Sequence, residues 1–172
     1  VEQMKKILLT KGEEALVDDY NYSWLMKWRW HFMPDRDSGG YAVRSVRIDD
    51  KVKIILMHVE IMKHAGHLEE GQVDHWDQNK LNNQEQNLRM ATHTQQRANT
   101  KRYKNNTSGY KGVSFNKQKD KWVSYIRVDR KLKHLGYYDT PEEAAEAHNK
   151  EATKQFGEFA CLNEIPRMGH VR

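Results

Sequence analysis

Cysteine is almost missing from this chain: Cys161 stands alone among 172 residues. One thiol cannot form an intramolecular disulfide, nor can it build the Cys-rich shell of a zinc knuckle. Long apolar runs are missing too. Apolar residues make up 37% of the chain but are scattered, and none of their runs approaches the roughly 18 to 20 positions that a membrane span needs. The first ten residues, VEQMKKILLT, are too polar and too short in their apolar part for a secretory leader. The expectation is an intracellular protein without a membrane partner, with room for one compact domain or two small ones.

Charge is present in quantity, and its placement is informative. Between Arg97 and Lys133 stand twelve Lys and Arg against two acids, Asp120 and Asp129. The whole chain carries only +5, so the remainder is net acidic. Aromatic residues are interleaved with the basic ones, as expected of a surface that meets phosphates. A solvated Lys-rich face would give the same composition, so charge alone does not decide.

The element pattern predicts an α+β chain. Short strands are expected at 7–9 and 15–17, a helix around Trp24, Leu25 and Trp28, and strands at 28–33, 41–48 and 51–59. Turns are expected at 35–40 and 49–50, and a helix from His58 to about Lys63. A strand ending at Val73-Asp74-His75, a long polar loop, a second strand at 87–91 and a helix capped by Thr92 follow. Residues 97–107 read as a basic linker, with Arg97, Lys101, Arg102 and Lys104 available to phosphates. From 108 to 163, YKGVSF, KWVSYIRV and KLKHLGYYD predict a three-stranded antiparallel meander packed on one helix. Thr140-Pro141-Glu142-Glu143 starts that helix with an N-cap, a first-turn Pro and a capping-box Glu, and Gly157 stops it. The small stripe Ala144, Ala145, His148 and Ala152 lets the helix lie close to the Trp122, Ser124, Ile126 and Val128 face. Lys121, Val123, Tyr125 and Arg127 fall on the opposite face, which is expected to stay open to a partner. Residues 164–172 are left as a tail.

The densest chemistry lies in VDHWDQNKLNNQEQNLRMAT, residues 73–92. Asp74 is a hard oxygen donor suited to Mg²⁺ or Mn²⁺. His75 follows directly; an imidazole accepts a proton near neutral pH, and adjacent strand residues point to opposite sides. The two can therefore serve a metal and a water in one site. The amide of Asn87 can brace the loop that Asn79, Asn82 and Asn83 crowd. A second metal ligand would come from the following helix, where His93, Gln96, Arg97 and Asn99 are the polar candidates. The spacing from Asp74 to Asn79 lacks the alternating ligands, central Gly and closing Glu of an EF-hand. A purely structural loop of Asx turns is the other reading.

The stretch VDHWDQNKLNNQEQNLRMATH resembles the HNH motif of ββα-metal homing endonucleases from phages and introns. LMHVEIM before it resembles the segment that precedes that motif, with His58 at the family His and Val59 where Arg is common. The resemblance implies a metal-dependent DNA endonuclease. Asp74 would be the first metal ligand, His75 the general base and Asn87 the central Asn. Gln96 stands where many relatives carry Asn; it keeps the same carbonyl on a stem one methylene longer. His93 and Asn99 are further candidates for that position. One divalent cation is implied, Mg²⁺ or Mn²⁺ in preference to Zn²⁺. The nuclease part would occupy residues 1–96, with its core at 56–100.

Residues 108–163 independently resemble the AP-two/ERF DNA-binding domain of plant transcription factors, through YKGV, KWVSYIRV, HLGYYDTPEEAAEAHNKEA and FGEFACLN. By that match Lys111, Ser114, Asn116, Tyr125, Arg127 and His134 occupy DNA-reading sites, and only Arg127 keeps the plant Arg. Phage HNH nucleases often carry such a domain at this end. The implied partner is double-stranded DNA, bound by a monomer in a bacterial or phage-infected host cell, with nicking as the default for one site per chain. The competing expectation is a non-catalytic DNA-binding regulator with a decayed HNH site, which Gln96 would favour. An RNA-directed role is a third.

Overall fold

Lys11 and Gly12, both at positive φ (64° and 76°), reverse the chain between two antiparallel strands, β1 (Met4–Leu8) and β2 (Glu14–Asp18). They open a computed structural model that describes residues 3–35, 39–67, 71–102 and 105–166. The chain divides into two units, Val1–Thr92 and His93–Arg172, and the architecture is α+β.

In the first unit, helix α1 (Asp19–Leu25) follows β2 directly. A second sheet orders β3 (His31–Pro34), β4 (Gly40–Ile48) and β5 (Lys51–Leu56) as an antiparallel meander. Asp49 and Asp50, at φ 49° and 57°, make the two-residue turn that suits the twist of a hairpin. Helix α2 (Met57–His64) comes next, then β6 (Gln72–His75) paired antiparallel with β7 (Leu88–Ala91). Ile7, Ala15, Val17, Leu25, Trp30, Ala42, Met57, Ile61 and Leu88 bury one another in a common core.

Two sequence expectations shift here. The strand expected at 28–33 begins only at His31. Trp28 donates its backbone N–H to Leu25 O at 3.2 Å, and Trp30 donates its indole N–H to the same carbonyl at 2.9 Å. Both residues finish the end of α1 before the chain extends. The strand expected at 51–59 yields to helix at Met57, because Met57, His58, Ile61 and Met62 form one buried helical stripe.

The second unit opens with the short helix α3 (His93–Ala98). Its sheet is ordered β10 (Lys131–Tyr138), β9 (Lys121–Val128), β8 (Val113–Asn116), all antiparallel. Helix α4 (Pro141–Phe156) carries the full capping box at Thr140 and Glu143 and ends at Gly157. Its buried residues are Ala144, Ala145, His148 and Ala152, the stripe the sequence pattern marks. Contact between helix and sheet is tight at Gly112. There φ is +75°, and an added Cβ would lie 2.2 Å from the His148 ring and 2.5 Å from Tyr125 O. Only glycine fits. The chain end is stapled back by Asn163. Its Oδ1 accepts from Lys111 N at 2.6 Å, and its own N–H donates to Asn149 Oδ1 at 2.7 Å. Ile165 packs against Val113, Ala144 and Ala145, so the described start of the expected tail belongs to the packed unit.

Candidate active site

The β6–β7 register sets Asp74 opposite Arg89 and His75 opposite Leu88. Side chains directly opposite in an antiparallel pair share a face, and the two make an ion pair. Arg89 donates from Nε at 3.2 Å and from Nη2 at 3.1 Å, both to Asp74 Oδ2. The carboxylate expected as a hard oxygen donor is thus in place and buried, with a counter-ion that was not foreseen.

His75 projects from the other side of the strand into a cluster of rings. Its imidazole lies 4.7 Å from that of His58 at an interplanar angle of 72°. Tyr41 lies 5.5 Å from His58 and 6.4 Å from His75. Lys80, salt-bridged to Asp35, stands 4.8 Å over the Tyr41 ring. Burial pushes His75 down to about 4 from its ordinary 6.5, while Asn83 and Asp77 pull it upward and Lys80 depresses it further. Burial and then the charge of His75 lower His58 to about 3. Both imidazoles are therefore neutral at pH 7, the form that accepts a proton. His75 Nε2 lies 3.4 Å from Asn83 Oδ1. Asn83 is fully buried, and its Nδ2 donates to Leu81 O at 3.0 Å, so its carbonyl oxygen is the end turned to the ring. An Nε2–H donor to that oxygen leaves the imidazole lone pair on Nδ1.

Asn87 sits just before β7, in the short 3-10 turn Glu85–Asn87. Its Oδ1 accepts from Asp77 N at 3.0 Å. Its Nδ2 donates to Asp77 Oδ1 at 2.9 Å and to Asn82 O at 2.8 Å. Its backbone carbonyl accepts from Trp76 N at 2.9 Å. This one residue ties both ends of the loop together directly beyond His75. The other loop residues make Asx turns: Asn79 N donates to Asp77 Oδ1 at 2.8 Å and Leu81 N to Asn79 Oδ1 at 3.1 Å.

The N-terminal hairpin holds the loop from outside. Leu16 N donates to Leu81 O and Asn83 N to Leu16 O, each at 2.8 Å. Asp18, buried at the end of β2, accepts from Glu85 N at 2.7 Å and from Gln84 Nε2 at 3.1 Å. Asn21 Nδ2 donates to Glu85 Oε1 at 2.8 Å. Residues of β2 and α1 thereby clamp a loop more than sixty positions downstream. Sequence reasoning missed Asp18, Asn83 and Arg89. The only available signal for Asp18 was a carboxylate within an otherwise apolar strand end.

A strand ending in Asp-His, a loop braced by one Asn and a returning strand agree with the family that sequence comparison finds. The family model described as HNH endonuclease matches residues 57–98, from the start of α2 to the end of α3. Protein 3.8 of Escherichia phage T7 is 32% identical over 106 residues, which cover 59% of this chain and 88% of that protein. This chain belongs to the HNH endonuclease family. An uncharacterized HNH endonuclease, L560 of Acanthamoeba polyphaga mimivirus, is 29% identical over 157 residues, covering 90% of this chain and 77% of its own length. No solved structure matches.

The remaining residues expected of an HNH site lie on or beside α3, in the second unit. His93 is exposed, Gln96 half-buried and Asn99 buried. Among the described residues, no three His, Cys, Asp or Glu side chains gather into a metal cage. The donor chemistry of Asp74 fits a hard cation of the kind held by one or two carboxylates that completes its shell with water and phosphate oxygens.

The residues expected to meet DNA divide into four groups. Arg97, Lys101, Arg102, Ser114, Arg127 and His134 are exposed, Tyr125 is half-buried, and Lys104 lies outside the described residues. Lys111, Asn116 and Lys121 are already engaged. Lys111 Nζ donates to Ala98 O at 2.6 Å and Thr100 O at 2.7 Å, holding the carbonyl end of α3. Asn116 Oδ1 accepts from Gln118 N and Lys119 N, each at 3.0 Å, and Lys121 pairs with Asp139. Nor is the face opposite α4 uniformly open. Val123 is only 2% exposed, because it lies on the central strand between Ser114 and Tyr137. What the face presents is a run of rings: Tyr125 lies 5.4 Å from His134, which lies 4.7 Å from Tyr137, and Lys119 stands 4.1 Å over Tyr137.

Proposed function

We propose that this chain is a DNA endonuclease in which His75 is the general base and Asp74 a ligand of one divalent cation. The observation that carries this reading is the buried His75, adjacent to the buried carboxylate of Asp74 and 3.4 Å from Asn83 Oδ1. His75 Nδ1 takes a proton from water, and the resulting hydroxide attacks phosphorus. The P–O3′ bond breaks, leaving a 5′-phosphate and a 3′-oxygen that takes up a proton. Asn83 holds the ring in the tautomer this needs, and Asn87 keeps the loop closed behind it. HNH endonucleases generally use a divalent metal. Mg²⁺ or Mn²⁺ held by Asp74 would stabilise charge on the scissile phosphate and the leaving oxygen.

The second unit would hold double-stranded DNA. Its three-stranded sheet on one helix supports the AP-two/ERF likeness, and the Tyr125, Arg127 and His134 face supplies both charge and stacking surfaces. A single active site per chain supports nicking by a monomer.

One observation favours a second reading. Arg89 occupies the Asp74 carboxylate, as a binding protein without a working metal site would allow. Supercoiled plasmid incubated with protein and Mg²⁺ or Mn²⁺, with and without chelator, separates the two. Cleavage that the chelator abolishes supports the endonuclease. Plasmid that stays intact while retarded on a gel supports the non-catalytic binder.

A further inference from the structure

The second unit contains a cavity of about 340 Å³, lined in part by residues already assigned to DNA contact, Arg97, Lys101, Arg102, Tyr125 and Arg127. It lies alongside β9 past the first residue of β8, Val113, whose register partner is Ser124. This volume falls in the usual size range of small-ligand pockets, roughly 300 to 1,000 Å³. Its rim is cationic: Arg97, Lys101, Arg102, Arg127 and Arg130 line it, against the single acid Asp129. All five cations are exposed, so their charge is available to a ligand. Lys111 also lines the cavity, adding charge, although its ammonium is already bonded to the α3 carbonyls.

The walls have a different character. Ile126, Ala152 and Phe156 contribute apolar surface, and Phe156 is half-buried at the end of α4. His148 completes them. Its side chain is 3% exposed, and its Nδ1 is buried without a hydrogen-bond partner. A contact with the Asn149 side chain raises the His148 pKa, yet by geometry Nδ1 has no hydrogen-bond partner. His148 adds an imidazole to a wall that Phe156 also lines.

A cationic rim alone would suit any anion, and an apolar wall alone any hydrocarbon. The combination calls for a ligand with a phosphate at one end and a flat ring with polar edges at the other. We propose that this cavity is a nucleotide-binding pocket, with the phosphate at the Arg97–Arg130 rim and the base against Phe156 and His148. Positive grooves with aromatic walls hold single nucleotides by this division of labour. The nucleotide comes either from solution or from a DNA strand held by the same unit; only the second source rests on the DNA-binding reading above.

The test is an NMR titration of the full chain with dTMP, thymidine, inorganic phosphate and the pentanucleotide (dT)₅. The proposal expects dTMP to shift the ring signals of His148 and Phe156 saturably. Thymidine and phosphate, each lacking half of the ligand, bind about tenfold more weakly or worse. Phe156→Ala and Arg130→Gln each weaken dTMP by about fivefold or more, while Lys6→Gln, on β1, leaves it unchanged. Binding of (dT)₅ about tenfold tighter than dTMP through the same rings identifies a strand as the source; equal affinities identify the free nucleotide. Absence of saturable shifts at His148 and Phe156 with either probe overturns the pocket. If duplex DNA is still retarded on a gel in that case, the DNA-binding reading survives. Bound dTMP without any duplex binding gives the reverse result: the pocket stands and that reading falls.

Discussion

His75 and Asn83, eight positions apart, meet with Nε2 and Oδ1 at 3.4 Å inside the first unit. The fully buried amide turns its carbonyl oxygen to the ring and can accept from an Nε2–H. Replacing Asn83 by Leu removes that orientation without adding charge. We expect kcat to fall about 10- to 100-fold with KM little changed, the usual effect of losing a group that orients a catalytic ligand. Steady-state cleavage of a defined duplex measures the split, and a change confined to KM would contradict the assignment.

Asn87 makes three side-chain hydrogen bonds that close the loop. Asn87→Ala leaves Asp77 N and Asn82 O without these partners, and we expect a loss of about 2 kcal/mol of stability. Urea unfolding of wild type and variant at one pH checks it.

Gly112 admits no side chain. The approach of His148 and a φ of +75° add steric overlap to backbone strain, so Gly112→Ala should destabilise the second unit by about 2 kcal/mol or more. Hydrogen exchange localises the effect. Loss of protection in β9 and α4, with the first unit unchanged, is the expected pattern.

Acid should weaken the fold through its buried imidazoles. Burial, then the charge of Lys111, lowers His148 to about 4 from 6.5. The unfolded chain therefore binds the proton more readily than the folded one. The stabilisation is fully present above about pH 6.5 and is lost as pH falls through 6.5 toward 4, about 3 kcal/mol at most for this group. Thermal melts between pH 7.5 and 4.5 test the direction. In His148→Gln the slope across that window should be shallower.

Arg127 is exposed on the basic sheet. If it contacts a phosphate, Arg127→Gln should weaken duplex binding across sequences and reduce the slope of log K against log salt by about 1. Loss restricted to one base pair position would make it a base reader instead. Filter binding at several salt concentrations, on two unrelated duplexes, separates these outcomes.

Local chemistry was legible from the residues, and contacts across long sequence separations were not. Thr140, Pro141 and Glu143 announce α4, because a capping box is complete within four residues. An amide beside a loop rich in Asn suggests bracing, and the Asn87 side chain hydrogen-bonds Asp77 Oδ1 and Asn82 O. The Asp74–Arg89 pair depends on a strand register that loop residues 76–87 determine, and nothing at position 89 alone reveals it. Asp18 reaches Glu85 across 67 positions, so neither segment alone reveals the clamp on the loop. Lys111 and Asn116 show the opposite failure. Their residue types suit a nucleic-acid surface, but a nearby helix end and turn use them first.

In the proposed reaction His75 abstracts the proton from the attacking water. Single-turnover cleavage of an end-labelled duplex by wild type and His75→Ala, with Mn²⁺ present and product ends identified, tests this step. Wild type is expected to give 5′-phosphate and 3′-hydroxyl products. The variant is expected to cleave at least about 100-fold more slowly, with duplex affinity unchanged. Equal rates for the two proteins, or no cleavage by wild type bound to DNA, would contradict that step.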